Sequence, residues 1–364
     1  MIYLDNAAST CPSPAVIQTL NDLIYVYGNP SSIHDSGREA FDLMISAKED
    51  IRKNLNAKDN DELIFTSGAT MSNNIFIQGF MNKYPDAALI VSEIEHKDIL
   101  LLADYLLAHG RDVYKIPVYQ DGIICEGTLE NICFQIKKNE KPFLCSIQSA
   151  NGECGVIQDY AMISKIVHMY GGIYHSDMTQ YIPYYPIDLS YVDAFSMSGQ
   201  KINCIKGTGL LYIKNGIEID PIIFGEQGLV GGTENVLGIA CLNVALNGLK
   251  RNNTKITTLR NELFTELRSY GRILGSTKSR LPNNVYMSFD RPMVSLLNNF
   301  GIMTSAGSAC AKAEPSHVIL AMGYEEQTAR NAVRFSLSET TTEDDIKNTV
   351  EAVKRVLWIK EEIK

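Results

Sequence analysis

The feature that most constrains this chain is an alternation of short β-rich runs with segments of helical period. Leu63-Ile64-Phe65-Thr66, Ala88-Leu89-Ile90-Val91, Leu144-Cys145-Ser146-Ile147, Gly172-Ile173-Tyr174-His175, Val192-Asp193-Ala194-Phe195-Ser196 and Leu210-Leu211-Tyr212-Ile213 are apolar or β-branched and too short for helices. Between them, helical patterns such as Phe41, Met44, Ile45, Ile51 and Leu55 mark an amphipathic helix over about Arg38 to Asn56. Strands separated by helices imply a mostly parallel sheet covered on both faces, an α/β domain. After about Lys250 the pattern changes. A helix over Ile256 to Tyr270, a strand at Val285 to Phe289, a Gly/Ser/Ala-rich stretch at Ser305 to Ala309 and a final helix follow. That last helix opens with Thr342 and the acids Glu343, Asp344 and Asp345, then repeats Ile346, Val350, Val353 and Leu357. The expected organisation is a large α/β domain over 13–250, with 1–12 and 251–364 forming a smaller α+β domain.

At 364 residues the chain is long enough to bury such cores without disulfides. Its formal charge of −9, with no run of Lys or Arg, argues against direct nucleic-acid binding or an anionic membrane. No stretch approaches the roughly 20 apolar residues of a spanning helix. The start, Met1-Ile2-Tyr3-Leu4-Asp5, carries neither the basic nor the apolar region of a secretory signal. None of the eight cysteines forms C-x-x-C, so reduced thiols in the cytoplasm and no metal site are expected.

In an open parallel sheet, ligands sit beyond the carboxyl ends of the strands. The polar residues just after the proposed strands are Thr70, His96, Asp177 with Gln180, and Ser198 with Lys201. Each is weak evidence alone; together they supply what pyridoxal phosphate (PLP) requires. Thr66-Ser67-Gly68-Ala69-Thr70 leads from strand to helix, so backbone N–H groups at Ala69 and the Thr70 hydroxyl are placed to receive a phosphate. Lys201 offers the amine that attaches the cofactor and moves protons. Asp177 would face the pyridine nitrogen and keep it protonated, Gln180 would reach the ring hydroxyl, and His96 would stack on the ring.

With these residues in place the sequence resembles the cysteine desulfurases of the class V aminotransferase group, in the branch of the NifS and IscS proteins. The resemblance runs through Tyr3-Leu4-Asp5-Asn6-Ala7-Ala8-Ser9-Thr10, Gly28-Asn29-Pro30-Ser31-Ser32-Ile33-His34, Glu95-His96-Lys97, His175-Ser176-Asp177-Met178-Thr179-Gln180 and Ser196-Met197-Ser198-Gly199-Gln200-Lys201. It continues in Gly232-Thr233-Glu234-Asn235, Ser305-Ala306-Gly307-Ser308-Ala309-Cys310 and Arg334-Phe335-Ser336-Leu337. It implies fold type I of the PLP-dependent transferases, the architecture of aspartate aminotransferase, and a homodimer. By the same resemblance Lys201 carries PLP, Thr70 and Ser198 hold its phosphate, and Thr233 reaches the phosphate of the neighbouring subunit. Arg334 would grip the substrate carboxylate with its guanidinium fork. Cys310, among small residues suited to a thiolate that must travel, would take sulfur from L-cysteine as a persulfide and leave L-alanine. The persulfide sulfur would pass to an acceptor such as an iron–sulfur scaffold or a thiolation enzyme.

Several positions depart from the family pattern. Gln200 stands where a histidine usually precedes the lysine; its amide can still donate to phosphate but carries no charge. Asn151-Gly152-Glu153 replaces Asn-Asn-Glu, leaving Asn151, Gln180 and Arg334 to contact the ring hydroxyl and the substrate. Val230 replaces an arginine, Ser338-Glu339 replaces Gly-Arg, and the segment after Cys310 is about two residues short. Lys201, Asp177, His96 and Cys310 are all present, so a working enzyme is expected. The other readings are a different class V reaction (selenocysteine lyase, β-lyase or aminotransferase) and a non-catalytic sulfur-trafficking protein.

Overall fold

The computed structural model describes residues 1–225, 228–307 and 314–358; Cys310 lies outside them. A seven-stranded sheet runs in the order Glu62–Thr66, Gly209–Ile213, Ala194–Ser198, Ile173–Asp177, Phe143–Ser146, Ala88–Ser92, Val113–Ile116. All neighbours are parallel except Gly209–Ile213, which is antiparallel to both of its partners. The parallel strands therefore end on one side, at Thr66, Ser92, Ser146, Asp177 and Ser198.

Side-chain alternation assigns the two faces. Ile90, Tyr174, Leu210 and Tyr212 join one buried core, whereas Leu89, Val91, Leu211 and Ile213 join the core on the other face. The helix Ala69–Lys83 is buried along Ile75, Phe76, Phe80 and Met81 against the second core. Its two neighbours in sequence are thereby fixed: the strand that enters it and the turn that opens it at the sheet's carboxyl edge.

Another core lies apart from the sheet, built from Leu4, Leu259, Leu263, Val285, Phe335, Ile346 and Val353. Ile2–Tyr3 pairs in parallel with Ile302–Met303, and the Asn6 amide donates to the Ser336 carbonyl at 2.9 Å. The extreme N-terminus is thus woven into the C-terminal third. The last helix, Glu343–Trp358, is capped reciprocally: Asp345 N donates to Thr342 Oγ1 at 3.1 Å and Thr342 N to the Asp345 carboxylate at 2.9 Å. Its Ile346, Val350 and Val353 are buried, each contributing about 1.5–3 kcal/mol.

Boundaries differ from the sequence reading by a few residues at most of the named segments, and one strand of the seven-stranded sheet escaped it. Val113–Ile116 is short, lies at the sheet edge and exposes Tyr114 and Lys115, so it has no continuous apolar run. Among the described residues no helix is long and apolar enough to cross a membrane.

Candidate active site

The loops beyond the strand ends enclose a cavity of about 280 Å³. Ala69, Thr70, His96, Asn151, Asp177, Gln180, Ser198, Gln200, Lys201 and Arg334 all line it. These are the sequence candidates, scattered over two hundred positions and brought to one place by the parallel strands. Thr233 is elsewhere: it is exposed and lines a separate groove with Leu229–Gly232, Met44 and Thr66.

Gly68 precedes the helix Ala69–Lys83 with a φ of 152° and gives it no side-chain cap. The positive helix end therefore lies at the cavity without a cap from its own N-cap residue, beside Thr70, and its Ala69 N–H, expected to meet a phosphate, donates here to Ser198 Oγ at 2.7 Å. Lys201 closes a short 3₁₀ turn directly after the strand Ala194–Ser198. A side chain at Gly199 in that turn would meet Thr208 Oγ1 at 2.2 Å, so the tight turn requires glycine. The Lys201 amine donates to the carbonyls of Ala7, at 2.8 Å, and Ala8. Gln180 donates to the same Ala7 carbonyl at 3.0 Å. The N-terminal segment thus forms part of the wall, a role the sequence reading did not give it.

Asp177 ends its strand with a buried carboxylate. It accepts from the Asn73 amide at 3.0 Å and from Thr179 N at 2.9 Å. Burial, aided by the nearby charge of Asp98, pushes its pKa upward. Its hydrogen-bond partners are neutral, so a protonated pyridine nitrogen would supply the countercharge it lacks. Two positions back on the same face, His175 bridges neighbouring strands through Ser146 Oγ at 2.9 Å and Ser196 Oγ at 3.0 Å, and stacks on Phe76. Burial lowers its pKa to about 3, so this imidazole is a neutral support beneath the floor. A helix N-terminus at the cavity, two hydroxyls, a lysine amine and a buried carboxylate together fit PLP.

His96 caps the next helix, Lys97–Ala108, and its Nδ1 lies 2.8 Å from Asp98 Oδ1. Glu95, beside it, is fully buried; it accepts from Ser92 Oγ at 2.5 Å and Gln148 N at 3.0 Å. Burial raises its pKa to about 8.

The far wall comes from the strand Ala332–Ser336. Arg334 is buried, with Nη1 donating to the Gly152 carbonyl and Nη2 to Asp5 Oδ1, each at 2.8 Å. Each of these nitrogens retains a second N–H, and Nε has no partner among the described residues. Gly152 matters sterically: a Cβ there would stand 3.0 Å from Gln180 Nε2. Asn151 spends its amide on joining its own loop to the one after Ala88–Ser92. It donates to Ile94 O at 2.8 Å and accepts from Glu153 N and Cys154 N, so it shapes the wall. Glu153 accepts from Ser316 Oγ at 2.5 Å, and a Cβ on Gly307 would come within 2.9 Å of it. Both described ends of the segment containing Cys310 thus converge on one cavity-lining carboxylate.

Sequence reasoning missed Asn73, Glu95, Asp98, Gln148, Glu153 and His317, all lining or bracing the cavity. Asn73 sits one helical turn past Thr70, and Asp98 two residues past His96; those offsets were the available signal.

The profile of the family described as aminotransferase class-V matches residues 2–349. Cysteine desulfurase IscS of Dictyoglomus turgidum is 33% identical over 98% of this chain and 94% of its own length. NifS of Azotobacter vinelandii, also a cysteine desulfurase, is 32% identical over 97% of this chain and 91% of its own. Among solved structures, a NifS-like protein from Rickettsia africae matches with a TM-score of 0.88 at 30% identity, covering 98% of this chain and 99% of that one. SspA in complex with cysteine matches with a TM-score of 0.81 at 29% identity, covering 93% and 99%. A match of this extent, over a sheet whose strand ends gather the elements of a PLP cradle, means that the chain belongs to the class V aminotransferase family of PLP-dependent enzymes.

Proposed function

We propose that this enzyme is a cysteine desulfurase that removes sulfur from L-cysteine and leaves L-alanine. The observation that carries the reading is the placement of Lys201, Asp177, His96 and Arg334 around one cavity. It is joined by full-length similarity to relatives named cysteine desulfurase. Bound PLP supplies an electron sink for charge developing at the substrate Cα. Arg334, fixed by Asp5 and Gly152, offers its remaining N–H groups to the substrate carboxylate. The Lys201 amine accepts the Cα proton. Cys310 thiolate attacks the substrate sulfur: an S–S bond forms, the C–S bond breaks, and its electron pair stays with the organic fragment, which takes up one proton at Cβ and regains one at Cα from Lys201 to give alanine. The sulfur remains on Cys310 as a persulfide for a protein acceptor, an iron–sulfur scaffold or a thiolation enzyme.

The reading includes a homodimer, supported by the exposure of Thr233 in a groove away from its own Lys201 cavity. It divides the chain into a cofactor-binding unit over 13–250 and a smaller unit of 1–12 with 251–364, in keeping with the separate core around Leu4 and Phe335. A reducing cytoplasmic setting suits seven described cysteines that are all free thiols. The test is mass spectrometry of Cys310 after incubation with L-cysteine, with alanine and, in the presence of a thiol reductant, sulfide measured alongside. One added sulfur and stoichiometric alanine are expected, and Cys310→Ala should abolish both. Turnover that survives this substitution would assign a different class V reaction.

A further inference from the structure

The pair formed by His96 and Asp98 carries an inference of its own. Both the Asp98 carboxylate, at 2.8 Å, and the Asp98 backbone N–H, at 3.4 Å, face His96 Nδ1. The two contacts exclude each other. A bare Nδ1 would accept the long backbone bond while pressing its lone pair against a carboxylate oxygen. A protonated Nδ1 donates to that oxygen at ideal length. The geometry therefore selects Nδ1–H and leaves Nε2 as the nitrogen that gains and loses a proton.

Asp98 is itself firmly held. Its side chain is only 8% exposed, against 49% for His96. It accepts from Ile99 N at 2.7 Å and from Asn73 Nδ2 at 3.2 Å, and the same Asn73 amide donates to Asp177. One buried amide thus ties the carboxylate behind the imidazole to the carboxylate at the cavity floor. The titratable groups around His96 are Glu95 and Lys97 beside it in sequence, Asp98 on its own helix, Asp177 from the sheet, Lys201 from the neighbouring turn, and His317 across the cavity. The hydrogen bond to the Asp98 carboxylate is the strongest influence and raises the imidazole pKa; Asp177 adds to it and Lys201 opposes it.

We propose that Asp98 is a positioning residue that locks His96 in the Nδ1–H form, so that Nε2 is the atom that presents and takes up protons in the cavity. The proposal rests on the desulfurase reading for the reaction it serves, but not for its test. Nitrogen NMR of imidazole-labelled protein, with His96 assigned through His96→Gln, reads tautomer and titration directly, with and without PLP. In the unsubstituted enzyme the neutral His96 should carry its proton on Nδ1. In Asp98→Asn the titration should move to lower pH, and in Asp98→Ala the proton should pass to Nε2, the usual preference of a free imidazole. The pH limb of kcat assigned to His96 should shift down in parallel in Asp98→Asn, which keeps an acceptor oxygen should the alanine variant fold poorly. A neutral His96 protonated on Nε2, or a titration unmoved in Asp98→Asn, overturns the proposal even if alanine is formed from cysteine. Normal NMR behaviour without alanine production overturns the desulfurase reading instead.

Discussion

The floor of the cavity and its far wall are assembled differently. The floor is made by residues at the carboxyl ends of strands in one sheet: Asp177 closes its strand, and His96 and Lys201 follow theirs within a few positions. The wall joins distant parts of the chain, with Arg334 bonded to Asp5 across 329 positions and Asn6 to Ser336 across 330. The floor inherits its geometry from a sheet that would exist without the site, so its groups carry chemistry and, the Lys201 bonds to the Ala7 and Ala8 carbonyls apart, little structural duty. The wall groups hold two segments together and meet the substrate at once. Substitutions on the floor should therefore remove activity with little loss of stability, and those on the wall should cost both.

The largest effect is expected from Lys201→Ala, a floor change: kcat should fall by ~10³-fold or more while stability shifts by about 1–2 kcal/mol through the lost bonds to Ala7 and Ala8, less than on the wall. Rapid-quench alanine formation and a denaturant titration on the same preparation check it. Unfolding of this variant would break the contrast. Arg334→Ala, on the wall, should lose about 3 kcal/mol of stability, because Asp5 is left without its cation. It should also raise KM for cysteine about 10–100-fold through the missing charged hydrogen bonds. An intact unfolding midpoint with KM alone altered would show that the wall is not structural.

Glu95 sits where floor and wall meet, bonded to Ser92 and Gln148, while its carbonyl accepts from His317 Nε2 at 3.0 Å. Folded, it keeps its proton up to about pH 8; unfolded, it releases it near 4.5. Between those limits the folded chain binds more protons. Its contribution to stability is therefore complete below about pH 4.5 and lost as pH rises to about 8. Glu95→Gln should remove that slope, a change on the order of a few kcal/mol across the window, seen in unfolding midpoints measured against pH. Parallel pH profiles for the two proteins would show that Glu95 is not held neutral.

The floor was legible because its signals are local. A β run, a turn and one polar residue recur, and parallel strands must place the polar residues on one side. Asn73 and Asp98 were less so, since a buried polar residue on a helix looks the same in sequence as an exposed one. The wall was hidden in another way. Asp5 and Ala7 stand in a recognisable N-terminal motif, but nothing local says that Asp5 will neutralise Arg334 or that the Ala7 carbonyl will receive both Lys201 and Gln180. Arg334 was identified through family resemblance, and its two existing partners emerge only from the fold. Asn151, expected to contact substrate, has its amide bonded to the Ile94 carbonyl and to the Glu153 and Cys154 N–H groups.

What the sequence determined by itself is the α/β alternation, the order of the chemical groups and the family, because period, turn chemistry and strand-end position are properties of short segments. Tertiary structure alone decided which groups are paired, buried and therefore shifted in pKa. Asp98 behind His96, Asn73 between two carboxylates and Glu95 kept neutral all depend on which surfaces are removed from water together. Desolvation and charge pairing act over a few ångströms of space, whatever the separation along the chain.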